Sequence, residues 1–103
     1  VGGRKERSPL MNTEKVQKVI DTYRKKFEEL GIGKADYLHE EPLDSPQHGL
    51  EHCHGMLDKM EGFIRENRMD KVFRWLGFLQ GFLWSQKIYT LTELTNHNRK
   101  DPK

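Results

Sequence analysis

One stretch constrains this chain more than any other. Asp70 to Gln86, DKVFRWLGFLQGFLWSQ, holds both tryptophans and three of the five phenylalanines. Turned at about 100° per residue, Val72, Trp75, Leu76, Phe78, Leu79, Phe82 and Leu83 cover one broad arc of a helix. Opposite them lie Gly77 and Gly81, flanked by Phe73 and Trp84, with Arg74 and Ser85 on the remaining polar strip. A helix that is apolar on one broad side and aromatic on a second is either central to its domain or shared with a partner.

The rest of the chain is short of apolar material. The hydrophobic share is 34% and the charged share 33%, so the cluster between Leu50 and Leu94 has to supply most of a core. At 103 residues there is room for one domain and one compact core. Small domains so constituted often gain stability by associating, and a homodimer is expected.

Charge bears on partners through its location. Arg4, Lys5 and Arg7 against Glu6 at one end, and Arg99, Lys100 and Lys103 against Asp101 at the other, exceed the whole chain's formal +2. The body from Met11 to Asn98 is therefore slightly acidic, which argues against nucleic acid as a partner. A single cysteine, Cys53, excludes an internal disulfide framework and fits a reducing compartment. No run approaches the roughly 18 apolar residues that a membrane span needs, and no apolar segment follows the basic residues near the start. A cytoplasmic protein is expected.

Along the chain, residues 1–11 read as a flexible tail. Met11 reads as a natural start, with the preceding ten residues an added remnant or upstream readthrough. Asn12 or Thr13 is expected to cap a first helix, in which Val16, Val19, Ile20, Tyr23, Phe27 and Leu30 recur at three- and four-residue steps until Gly31 ends it. Its stretch YRKKFEEL, Tyr23 to Leu30, reads as an ordinary charged surface around a core stripe. Gly31 to Asp44 has no period and is expected to be a connection pinned by Tyr37, Leu38 and Leu43. Ser45-Pro46 is a helix start. From there Leu50, Cys53, Leu57, Met60 and Ile64 step along a seam that Met56 and Phe63 widen, while Gly49, Gly55 and Gly62 permit close contact with a neighbour. The second helix ends around Asn67, and the central helix runs to about Gln86, with Lys87 in its last turn. Thr90 and Glu93 stand at capping-box spacing, and Tyr89 and Leu94 at that of a hydrophobic staple, which places a short helix from Leu91 to about His97. Residues 99–103 read as a basic tail.

The C-terminal half resembles a known group. Trp75-Leu76-Gly77-Phe78-Leu79-Gln80-Gly81, Leu83-Trp84, Tyr89-Thr90-Leu91, Glu93-Leu94 and Asn96-His97-Asn98-Arg99 are similar to small uncharacterised proteins of tailed phages and prophages. The resemblance covers about Asp70 to Arg99. It implies a phage or mobile-element protein, cytosolic in a bacterium, and carries no activity and no catalytic residues with it.

Two groups of residues invite a functional reading. The first is QHGLEHCHG, Gln47 to Gly55. His48 and His52, four apart, project to one side of a helix. Glu51 and His54 stand at the Glu-x-x-His spacing of di-iron bundles, but no second copy of that unit exists. A metal here needs a further ligand, such as His39, Glu40 or Glu41. The plainer expectation is that His48 and His52 are solvated, that His54 is packed and hydrogen-bonded, and that Cys53 is a buried structural thiol.

The second group is the aromatic side of the central helix. Gly77-x-x-x-Gly81 lacks the strand and turn of a phosphate loop. It either admits another helix of the same chain or floors an intersubunit groove walled by Phe73 and Trp84, and the groove is favoured. Arg74 and Gln80 on this helix either reach solvent or pair across an interface.

The expected architecture is all-α: a small helical bundle of three main helices plus a short C-terminal helix, spanning residues 12–98. The second and third helices should form an antiparallel hairpin, with the first packed across it. No catalytic or cofactor motif stands out. The expected function is that of a non-enzymatic interaction or regulatory protein, needing no cofactor, with Phe73, Arg74, Gly77, Gln80, Gly81 and Trp84 as its interface. The alternative is a helical metal-binding protein or metalloenzyme using His48, Glu51, His52 and His54, with His39.

Overall fold

The computed structural model describes residues 12–99, and among these it contains four helices and no strand. The segments read as tails, 1–11 and 100–103, lie outside the described residues. Helix α1 spans Thr13–Glu29, α2 Pro46–Arg65, α3 Met69–Ser85 and α4 Leu91–Asn98. The fold is the expected all-α bundle. Helices α2 and α3 form the hairpin, α1 packs against α2, and α4 packs back on α1.

Three of the four helices, α1, α2 and α4, begin at a residue whose side chain caps them. Asn12 Oδ1 accepts from the Lys15 amide at 2.8 Å, and Ser45 Oγ accepts from the His48 amide at 3.3 Å with Pro46 just inside the helix. Thr90 and Glu93 complete the capping box: Thr90 Oγ1 accepts from the Glu93 amide, and a Glu93 carboxylate oxygen accepts from the Thr90 amide.

Three helices end alike. Gly31, Asn67 and Lys87 take φ of +71°, +59° and +64°. After each, the next amide reaches back to a carbonyl in the last turn: Ile32 to Phe27, Arg68 to Phe63, and Ile88 to Leu83. This is the Schellman ending, which satisfies helix-end carbonyls that would otherwise lack donors. Lys87 thus lies beyond α3 rather than in its last turn.

The core is one cluster. Val16, Val19, Ile20, Tyr23 and Phe27 of α1 meet Cys53, Met56, Leu57 and Met60 of α2 and Val72, Leu76, Leu79 and Leu83 of α3, with Leu94 of α4 and Ile32 at its margin. Two expectations are corrected here. Of the expected anchors of the connection, Tyr37 is bonded to Glu51 but Leu38 and Leu43 stay exposed, and their place is taken by Ile32 and the Ala35 amide, which donates to the Glu51 carbonyl. Phe78 is 60% exposed, because the buried stripe of α3 centres on Val72, Leu76, Leu79 and Leu83 and leaves Phe78 at its far edge.

Glycines in α2 allow close approach at two points. A Cβ on Gly49 would run into the Phe82 ring, and one on Gly55 would come within 3.1 Å of the Ala35 carbonyl oxygen. Gly62 meets only the Arg65 side chain, at 3.7 Å.

A charged clamp fastens α1 to α2. Arg24 Nη2 donates to Asp58 at 2.9 Å and to Glu61 at 2.8 Å, while Lys34 holds the other oxygen of Asp58. The Arg24 guanidinium holds the Glu61 carboxyl below its usual range. At Asp58 the Lys34 ammonium acts in the same sense, joined by Arg24. The stretch read as plain charged surface therefore carries one of the interhelical contacts.

Candidate interaction face

Because α2 covers one side of α3, the opposite side is open. Asp70, Phe73, Arg74, Gly77, Phe78, Gly81, Trp84 and Ser85 are all exposed. At 100° per residue they fill a sector of roughly 140°. Gly77 and Gly81, with Asp70 and Arg74, run along its middle. Phe73 and Trp84, 41% and 51% exposed, wall one edge, and Phe78 walls the other. A Cβ built on Gly77 or Gly81 would meet nothing within 4 Å. No other helix of the described chain enters this trough, which removes the first of the two readings of the glycine pair.

The ion pair on this face is local. Arg74 Nη1 donates to Asp70 Oδ2 at 3.3 Å, one turn apart. The Lys71 backbone amide, and then Arg74, hold the Asp70 carboxyl below the usual carboxylate range. Exposed pairs of this kind add little stability. The face is thus an aromatic-walled trough with one cation and one anion near its N-terminal end.

Gln80, expected on this face, is instead on the buried side, 8% exposed. Its Nε2 donates to the Tyr23 hydroxyl at 2.9 Å and to Asn98 Oδ1 at 2.7 Å, and Asn98 Nδ2 returns a bond to Gln80 Oε1 at 2.9 Å. The Tyr23 oxygen also lies 2.8 Å from His97 Nδ1. With Gln80 donating to that oxygen, the phenol hydrogen is available to Nδ1, which places the ring hydrogen of His97 on Nε2. Burial pushes the Tyr23 phenol above its usual range and lowers His97 below its own. The network ties α1, α3 and α4 together through groups that have no charge to desolvate.

The histidine group is dispersed among separate partners. His48 stacks on Tyr37 with ring centroids 4.9 Å apart, and Glu51 accepts from the Tyr37 hydroxyl at 2.6 Å. His52 approaches Asp36 at 3.5 Å, and Asp36 is itself paired with Lys59 at 2.9 Å. His48 and His52 are therefore partly covered by the connection rather than fully solvated. His54 is 3% exposed, stacks on Phe27 and bonds through Nδ1 to the Ile32 carbonyl at 2.9 Å. His39 lines a cleft beside His52. Among the described residues, no three His, Cys, Asp or Glu side chains converge where a metal ion could be held.

That cleft, of about 900 Å³, runs between the connection and the α2–α3 hairpin, with Leu38, Leu43 and Pro42 on one wall and Phe78 and Phe82 on the other. Cys53 lies at its floor, buried, with its thiol pushed up to about 12. A thiol so poorly ionised is no nucleophile at neutral pH.

Sequence reasoning found the glycine trough and its Phe73 and Trp84 wall. It missed Phe78 as the other wall and Gln80 as an inward residue. The signal for Gln80 was available: it lies one turn from both Leu76 and Leu83, on the core side of the wheel. No helix of the described residues is long and apolar enough to cross a membrane. In comparisons with known proteins, the chain matches no family model, no curated protein and no solved structure.

Proposed function

We propose that this chain is a non-enzymatic interaction or regulatory protein of phage or mobile-element origin, working in the cytoplasm by binding protein through the outer face of α3, and that it self-associates. One observation carries the reading. Three large aromatics, Phe73, Phe78 and Trp84, are exposed together around a trough floored by glycine. Soluble chains seldom leave a contiguous apolar patch in water unless something covers it. Aromatics and arginine are also the residues that dominate protein–protein contacts. The Trp75–Gly81 and Tyr89–Arg99 motifs, similar to those of tailed-phage proteins, support the origin.

The test compares three baits in affinity capture from a bacterial host lysate: the unaltered chain, Phe73→Glu/Trp84→Glu, and Lys25→Glu as a control on exposed α1 surface. The expected result is that the unaltered and Lys25→Glu baits retain the same specific captures and the double variant loses them. Equal capture by all three, with helicity intact, would overturn the reading.

A further inference from the structure

We propose that the cleft between the connection and the α2–α3 hairpin is a binding site for a small organic cation, a substituted ammonium carried on an apolar, ring-bearing body. The site is independent of the α3 trough, and Phe73 and Trp84 take no part in it. Its volume, about 900 Å³, lies in the range of small-molecule sites. The apolar walls come from two separate elements. Leu38 and Leu43 of the connection stand 67% and 53% exposed, and Phe78 of α3 lines the same cleft. One such side chain alone in water is ordinary, but three around one cavity make a surface that a ligand's apolar body would cover.

Charge decides the class of ligand. Among the described residues that line the cleft there is no lysine and no arginine, against three carboxylates, Asp36, Glu41 and Asp44. Asp36 is taken, since it holds Lys59 at 2.9 Å. Asp44 has one ion pair, with His48 at 4.0 Å, and the Glu41 carboxylate has no partner among the described residues. A smaller hollow of about 400 Å³ shares Asp36, His39, His52 and Phe78 with the cleft, and Lys34, Lys59 and Arg74 line it. Each of these cations is already engaged: Lys34 with Asp58, Lys59 with Asp36 and Arg74 with Asp70. The unmatched charge is therefore negative and sits on Glu41 and Asp44.

Tyr37 fixes where the ammonium goes. Its ring stacks on His48 at 4.9 Å, and His48 is the residue beside Asp44, so an aromatic ring and a carboxylate stand together at that end. Aromatic faces attract ammonium ions through the ring quadrupole, and a carboxylate adds direct charge attraction. The apolar body then lies between Leu43, Leu38 and Phe78. Both carboxylates are exposed, so screening holds the preference for a cation to several-fold.

The experiment titrates the full chain with three probes of one shape, read by saturation-transfer NMR: naphthylmethyl-trimethylammonium, the neutral naphthylethanol and the anionic naphthylacetate. Two double variants at exposed positions accompany it, with circular dichroism to verify that both fold. Glu41→Gln/Asp44→Asn removes the charge, and Leu38→Ser/Leu43→Ser removes one apolar wall.

The expected result is that the ammonium binds several-fold more tightly than the alcohol, with the acetate weakest, and that added salt narrows the gap. Glu41→Gln/Asp44→Asn should bring the ammonium down to the alcohol's affinity, and Leu38→Ser/Leu43→Ser should weaken all three probes. No saturable binding of the ammonium would overturn the site. Acetate binding as tightly as the ammonium would overturn the charge assignment, as would an ammonium affinity unmoved by Glu41→Gln/Asp44→Asn. Affinities unmoved by the loss of both leucines would put the probes elsewhere and overturn the cleft as their place.

Discussion

The Tyr23 hydroxyl is the most consequential single group in the interior. It is fully buried, accepts from Gln80 and reaches His97, so three helices depend on its geometry. Tyr23→Phe should therefore lower stability by about 1–2 kcal/mol, the usual effect of deleting one partner of a buried hydrogen bond. Denaturant unfolding of both proteins measures it, and a neutral result would mean that Gln80 and Asn98 suffice by themselves. The same site makes stability depend on pH. Burial depresses the folded-state pKa of His97 below its unfolded value near 6.5. The unfolded chain then binds the proton more readily, so the contribution is present above about pH 6.5 and is lost as pH falls toward the depressed folded value. A proton on Nδ1 would also confront the phenol hydrogen. Thermal unfolding between pH 5 and 7 should show stability falling with acid in the unaltered protein and a flatter profile in His97→Gln. The inward side of Gln80 was legible in the sequence, but its partners were not. Gln80 and Asn98 are eighteen residues apart with a chain reversal between them, and no local period reports such a pairing.

At the scale of elements, the starts of helices were easier to read than their ends. Ser45-Pro46 and Thr90/Glu93 announce themselves because a side chain does the capping, and the structure places both as read. Gly31 was equally plain. Asn67 was read as the place where α2 ends, but Lys87 was not plain, because its left-handed backbone is imposed by the helix end and leaves no residue-type signature in a lysine. The anchor of the long connection escaped for a related reason. Ile32 follows directly on the glycine that ends α1, and in this ending that position packs back on the last turn. Leu38 and Leu43 look better as anchors on hydrophobicity alone, yet they line an open cleft. Lys87 yields a prediction with a definite sign. A side chain with φ of +64° is strained where glycine is not, so Lys87→Gly should stabilise the protein by roughly 1 kcal/mol, read as a higher denaturation midpoint. Thr90→Ala should act oppositely by about 1 kcal/mol through loss of the cap, and a neutral outcome would show that α4 is held by Leu94 and the Tyr23 network rather than by its capping box.

For the whole molecule, the question is what covers α3, and Gly81 offers a way to put it to the folding equilibrium itself. In a lone chain Gly81 weakens α3, and nothing lies within 4 Å of the position a Cβ would occupy. Gly81→Leu should then stabilise the isolated chain by roughly 0.5–1 kcal/mol through helix propensity. In a dimer closed over the trough, the same leucine would wedge the two helices apart. A species that associates only when folded melts at a temperature that rises with concentration. The two proteins should therefore cross. At high dilution Gly81→Leu melts above the unaltered chain. As concentration rises the unaltered chain gains and overtakes it, while the variant's melting temperature stays constant. Scanning both by circular dichroism over a hundredfold range of concentration tests this directly. Parallel, concentration-independent curves with the variant always higher would show that no second copy approaches the glycine trough, and would leave that face to a foreign protein.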